Sequence, residues 1–118
     1  MTDVPAENPE QSVEFTVITG LDEVVDSGTG RPTIDAVAKL STANVVHLSL
    51  QAGQLIDDHK SATQILVLGQ RGLIEFTVGD ECVQLSPGVA VHVAAGVTHK
   101  LVAVEDSAAT LLVLKGAQ

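Results

Sequence analysis

Aromatic side chains are nearly absent from this sequence of 118 residues, which contains no Trp and no Tyr. Phe15 and Phe76 are the only members of the Phe, Tyr and Trp class. Stacking platforms for nucleobases and sugar rings are built from such side chains, so we do not expect binding that depends on stacking. The hydrophobic core must instead be built from Val, Leu, Ile and Ala.

Positive charge is also scarce, with six Lys and Arg against 15 Asp and Glu and a formal net charge of −9. Nucleic-acid partners require clustered positive charge to neutralise phosphates. Anionic membrane surfaces attract basic segments for the same reason. We therefore expect neither a nucleic acid nor a membrane among the partners of this protein.

Cysteine and long apolar runs are the remaining absences. Cys82 is the only cysteine, so neither an internal disulfide nor a cysteine zinc cluster can form. We expect Cys82 to be a small buried hydrophobic side chain.

No apolar run approaches the ~20 residues of a membrane-spanning helix. The first ten residues also lack the basic and apolar regions of a signal peptide, and these features together predict a cytoplasmic protein.

The chain length allows one domain. Residues 1–12 contain two Pro and several polar residues without periodicity, which predicts a mobile N-terminal tail. Residues 13–118 then form the single predicted domain.

Short β-prone segments separated by turn signals fill this domain. Val, Ile and Thr number 18, 5 and 10, so 33 of 118 residues are β-branched and favour strands. Residues Leu21–Val25 are compatible with a helical turn, and Thr33–Leu40 tolerates a helix although its alternation favours a strand. The repeated spacing predicts an all-β sandwich or small barrel. The predicted strands are Glu14–Thr19, Thr33–Leu40, Val45–Gln51, Leu55–Ser61, Gln64–Leu68, Gly72–Val78, Glu81–Leu85, Val89–Val93, Lys100–Val104 and Thr110–Leu114.

Two glycine- and histidine-containing motifs lie between Gly53 and Ala103. In the first, Gly53 is followed after five residues by His59, and Gly72 closes the motif. In the second, Gly88, Gly96 and His99 occur at matching intervals. The pattern resembles the two motifs of the cupin superfamily, and it implies a small single-domain cupin with a jelly-roll β-barrel, also called a double-stranded β-helix.

The sequence departs from the cupin motifs at several positions. Ser61 stands where the first motif has its second His, and Ile65 stands where it has Glu. Ala94 and Ala103 take the Pro and Asn positions of the second motif. A typical cupin holds a metal ion with three His and one Glu, so the resemblance leaves only His59 and His99 as candidate metal ligands.

A substitute ligand is conceivable. On a regular strand Asp57 would share a face with His59, and with His99 it would complete a set of two His and one carboxylate, which suits non-haem iron. Gln64 is one residue from the Glu position and could also reach the site. Three alternatives stay open: a native site for a divalent metal (Zn, Mn, Fe or Ni), a weakly held ion on the two His, and a metal-free barrel.

Other polar side chains near the motifs are candidate ligand contacts, because ligand sites combine an apolar concavity with a few polar groups. We assign Ser61, Gln64 and His92 to this role. His92 either lines the cavity with His99 or faces a partner or solvent. His47 is expected at the surface, or else facing a cavity or a dimer seam. No catalytic residue can be assigned.

Two functions follow from these residues and from the resemblance. The first is a small cupin that binds a small molecule in its barrel and whose metal site is degraded. The alternative is a metal-dependent cupin enzyme of the dioxygenase or isomerase type, which uses His59, His99 and a carboxylate such as Asp57. The resemblance also implies a homodimer, since open sheet edges need covering. The hairpin spanning Thr33–Gln51 is the candidate contact.

Overall fold

The computed structural model describes residues 14–115, which form nine β-strands. No helix is present in this range, and so none that could cross a membrane. The tail predicted for residues 1–12 lies outside the described residues. The strands are β1 (Thr33–Lys39), β2 (Ala43–Leu50), β3 (Leu55–His59), β4 (Ile65–Arg71), β5 (Ile74–Val78), β6 (Glu81–Leu85), β7 (Ala90–Val93), β8 (His99–Ala103) and β9 (Ser107–Leu114).

The strands form two antiparallel sheets. The larger sheet has the order β1-β2-β9-β4-β7, and the smaller sheet has the order β3-β8-β5-β6. The all-β prediction is therefore confirmed. Every strand predicted from Thr33 onward is present, with its ends displaced by at most three residues.

The core lies between the inner faces of the two sheets. Phe76, Ile74 and Leu85 from the smaller sheet are fully buried, as are Leu50 and Val67 from the larger one. Alternation along each strand sends every second side chain into this layer. Each such side chain contributes roughly 1.5–3 kcal/mol on burial, so aliphatic packing is the main stabilising term.

The prediction for the segment before β1 is wrong. Glu14–Thr19 forms no strand, and Leu21–Val25 contains a turn rather than helix, closed by a 3.1 Å hydrogen bond from the Glu23 amide to the Gly20 carbonyl. A β-prone sequence becomes a strand only where a neighbouring strand accepts and donates its backbone hydrogen bonds. Residues 14–19 belong to neither of the two sheets that the described residues form.

Two buried polar side chains of β2 bind the segment around Glu23 to the outer face of the larger sheet. His47 Nε2 donates to the Glu23 carbonyl at 2.9 Å. Ser49 Oγ accepts from the Val25 amide at 2.6 Å and donates to the Val25 carbonyl at 3.3 Å. The expected surface position of His47 is therefore wrong, because a segment remote in sequence covers it.

Cys82 is exposed, which corrects the prediction that it is buried. It lies on β6, an edge strand of the smaller sheet. Val83 and Leu85 pair with the buried Phe76 and Ile74, so they face the core. Strand alternation then turns Cys82 toward solvent.

Candidate functional site

A cavity of about 200 Å³ opens between the two sheets beside the β3–β8 ladder. Seven aliphatic side chains and two imidazoles form its wall. Ile34, 57% exposed, and the exposed His59 mark its mouth. The lining residues are Ile34, Leu48, Ile56, His59, Ile65, Val67, His99, Leu101 and Leu111.

His99 is the deeper of the two imidazoles and is only 6% exposed. Its Nδ1 lies 3.0 Å from the carbonyl oxygen of Val97, which can only accept, so Nδ1 donates. When the ring is uncharged, the lone pair is then on Nε2. The ring of Phe76 packs beside it with 6.0 Å between centroids, and together these contacts orient His99.

His59 faces His99 across the β3–β8 ladder. The two residues are direct register partners, and their ring centroids are 5.6 Å apart with an interplanar angle of 80°. The structure therefore brings together, on one cavity wall, the two histidines that the sequence pattern placed 40 positions apart. One imidazole is buried, and the other is open to solvent.

A β-bulge in β3 separates Asp57 from this pair. Ile56 pairs with Leu101 and His59 pairs with His99, so β3 uses one more residue than β8 over the same interval. An extra residue reverses the alternation of a strand. Ile56 and His59 consequently both line the cavity, and Asp57 is not among the lining residues. Its Oδ1 accepts instead from the Asp58 amide at 2.7 Å.

The predicted ligand contacts lie elsewhere. Gln64 and His92 meet each other, with 2.6 Å between Oε1 and Nε2. His92 is the register partner of Leu66 in β4. The residues on either side of Leu66 line the cavity, so Leu66 and His92 face the opposite way. The contact between His92 and Gln64 therefore lies on the outer face of the larger sheet. Ser61 follows β3, and its hydroxyl accepts from the Thr63 amide at 3.3 Å. None of the three lines the cavity.

The position of the family's Glu is occupied by Ile65, which lines the cavity and supplies no donor atom. Among residues 14–115, no group of three or more His, Cys, Asp and Glu side chains is arranged to hold a metal ion. Stable divalent sites use three or four protein ligands. The two imidazoles therefore do not by themselves fit a tightly bound ion.

Sequence reasoning did not single out several aliphatic residues of the wall, notably Ile34, Leu48 and Leu111. Alternation places Leu48 on one face of its strand together with Val46 and Leu50, but it does not say which inward side chains border a void. That distinction depends on where the opposite sheet leaves space. No local signal in the sequence contains this information.

Comparison with known proteins agrees with this architecture. A family model described as Cupin domain matches residues 46–115, which is more than half of the chain. No curated protein matches the sequence.

Solved structures of similar fold are numerous. A cupin protein from Desulfovibrio desulfuricans, described as RmlC-like, is 19% identical with a TM-score of 0.74, and the match covers 85% of this chain and 97% of that one. KdgF from Halomonas sp. is 21% identical with a TM-score of 0.65, covering 80% and 89%. A cupin superfamily protein from Desulfitobacterium hafniense is 16% identical with a TM-score of 0.69, covering 78% and 84%. The two sheets thus form the predicted jelly roll, and the chain belongs to the cupin-domain family.

Proposed function

We propose that this cupin-domain protein binds a small molecule in the cavity beside His59 and His99. The observation that carries the proposal is the wall itself, in which two facing imidazoles are set among seven aliphatic side chains. Ligand sites are typically apolar concavities with a few polar groups that fix orientation. Two polar groups are available in this cavity: the buried imidazole of His99 and the exposed imidazole of His59.

The proposal is tested by filling the cavity. Leu111 lines it, whereas Leu112, the next residue of β9, pairs with Val45 and faces the opposite side of the sheet. Leu111→Phe should abolish binding of monocyclic probes such as p-xylene and cyclohexanol, and Leu112→Phe is the matched control. Ligand-observed NMR provides the measurement. Absence of any bound probe in the wild-type protein, or binding that survives Leu111→Phe, would contradict the proposal.

A second candidate function is a metal-dependent cupin enzyme. The observation that favours it is the hydrogen bond from His99 Nδ1 to the Val97 carbonyl, because metal-ligating histidines usually donate their other nitrogen in this way. The donor set is incomplete, as described above, so we derive no metal-dependent step. Elemental analysis of untagged protein tests this candidate. About one metal ion per chain, lost in His99→Ala, would favour the enzyme over the binding protein.

We further propose that the protein is a cytoplasmic homodimer without nucleic-acid or membrane partners. The net charge of −9 supports the expectation that neither a nucleic acid nor a membrane is a partner. The dimer is supported by β1, an edge strand on which Val37 is exposed, followed by the exposed Leu40. Edge strands present unpaired backbone groups, which a second copy can cover.

A further inference from the structure

We propose that the cavity selects a compact, uncharged, largely apolar molecule with a single hydroxyl group, and that this hydroxyl donates to Nε2 of His99. The inference rests on the proposed function, because it names the class of ligand for the same cavity. Three features of the wall carry it: the hydrogen bonding of His99, the volume of the cavity and the charge around it.

The hydrogen bonding of His99 requires the ligand to carry a hydrogen-bond donor. The Val97 carbonyl engages Nδ1–H, so the uncharged ring has an acceptor at Nε2. Within residues 14–115, the ring makes no second hydrogen bond. Nε2 of His99 is not one of the buried side-chain atoms that lack a hydrogen-bond partner, so solvent reaches it. A ligand that covers this acceptor without donating to it removes the contact with water, and this loss corresponds to about tenfold or more in affinity. A ligand hydroxyl satisfies this acceptor, whereas a ketone, an ether or a hydrocarbon does not.

The volume of the cavity limits the size of the ligand. At about 200 Å³ it is smaller than most drug-binding pockets and somewhat larger than the cavity of roughly 150 Å³ that binds benzene in an engineered protein. Scaling the six carbon atoms of benzene by the ratio of the volumes predicts a ligand of about eight non-hydrogen atoms. The seven aliphatic side chains of the wall require most of these atoms to be apolar.

The charge around the cavity disfavours anions. Neither Lys nor Arg is among the lining residues. Asp57 and Asp58 are exposed on β3 just before His59, and the exposed Lys60 follows it. A carboxylate that entered the cavity would lose its hydration with no Lys or Arg in the wall to pair with it. An uncharged hydroxyl avoids this cost of desolvation.

Three probes of similar shape test the inference: p-cresol, p-xylene and 4-methylbenzoate. In p-xylene a methyl group replaces the hydroxyl of p-cresol, so the two have nearly the same size and shape but differ in polarity and in the hydrogen-bond donor. Their affinity ratio is therefore compared with the same ratio in a variant that lacks the acceptor. By calorimetry at about pH 8, we expect the ratio of p-cresol to p-xylene affinity to be about tenfold or more higher in the wild-type protein than in His99→Phe. We expect 4-methylbenzoate to bind more weakly than p-cresol. Binding of p-cresol should also shift the ¹⁵N resonance of His99 Nε2 in the wild-type protein.

Two variants locate the contact. His99→Phe removes the acceptor but keeps a ring beside Phe76, and the ratio of p-cresol to p-xylene affinity should fall by about tenfold or more. His92→Phe is the matched control and should keep the ratio, because His92 lies on the outer face of the larger sheet and not in the cavity wall. If His99→Phe does not fold, the ¹⁵N shift in the wild-type protein decides.

The outcomes separate the inference from the proposed function. A ratio of p-cresol to p-xylene affinity that is unchanged in His99→Phe, or that falls instead in His59→Phe, which removes the other imidazole, would overturn the inference and leave a ligand-binding cavity. If 4-methylbenzoate binds more tightly than p-cresol, the ligands of the cavity are anions and not uncharged molecules with a hydroxyl group. Binding of none of the probes would overturn both proposals.

Discussion

Ile56 and His59 line the same cavity although they are three positions apart on β3. A regular strand would turn them to opposite faces, because successive side chains alternate. The bulge opposite Leu101 and His99 adds one residue and restores a common face. Without the bulge, Asp57 would point into the cavity and His59 would be paired with a carboxylate.

We predict that Asp57 does not contribute to metal binding. The affinity of the protein for Zn²⁺, measured by competition with a chromophoric chelator, should change by less than about twofold in Asp57→Ala, because this side chain is not in the cavity wall. His99→Ala should weaken Zn²⁺ binding by about tenfold or more, since it removes a ligand. A large loss of affinity in Asp57→Ala would show that the carboxylate reaches the imidazoles.

Ser49 should hold the segment around Val25 against the larger sheet. Ser49→Ala removes the hydroxyl that bonds both the amide and the carbonyl of Val25, and we expect a loss of about 1–3 kcal/mol in the free energy of unfolding. Hydrogen exchange of the Val25 amide should also accelerate. The exposed Ser41→Ala is the control and should be neutral. Unchanged protection of Val25 would refute the role of this hydroxyl.

Gly72 should be intolerant of any side chain. It connects β4 and β5 with a positive φ of 76°, and a Cβ there would collide with the carbonyl of Asp106 and with Ser107. Gly79 also has a positive φ, 59°, but a Cβ there would meet open space.

Gly79→Ala should therefore cost only backbone strain, about 1–2 kcal/mol. Gly72→Ala should cost more, because Asp106 and Ser107 must also move. Chemical denaturation measures both free energies of unfolding. Equal losses in the two variants would mean that the chain after β8 adjusts freely.

The dimer is predicted to use the hairpin formed by β1 and β2. Sedimentation of the wild-type protein at micromolar concentration should give twice the chain mass, and Val37→Asp should give the monomer, since it places a charge in the contact. Val104→Asp is the control, because Val104 is similarly exposed but lies in the turn between β8 and β9. A wild-type protein that sediments as a monomer would remove the proposal.

Cys82 should react with a thiol reagent in the folded protein. Its side chain is exposed on the edge strand β6. We expect one thiol per chain to be titrated without denaturant, because access limits the reactivity of buried cysteines. The denatured protein provides the reference for complete reaction. A thiol that reacts only after denaturation would indicate that another surface covers β6.

Local patterns in the sequence determined most of the strands. From Thr33 to Leu114, alternating Val, Leu and Ile separated by Gly, Pro and Asp were sufficient, because alternation and turn chemistry depend only on near neighbours. The resemblance of the segments around His59 and His99 to the cupin motifs implied the two imidazoles that share a cavity. The strand signals, by contrast, are carried by residues a few positions apart.

Tertiary structure decided whatever depends on contact between distant segments. Residues 14–19 belong to neither sheet of the described chain, the segment around Glu23 buries His47, and the edge position of β6 exposes Cys82. The bulge in β3 excludes Asp57 from the site, because the register between β3 and β8 sets which way each side chain points. Strand identity is a local property, whereas pairing register, covered faces and cavities arise only when both sheets are in place.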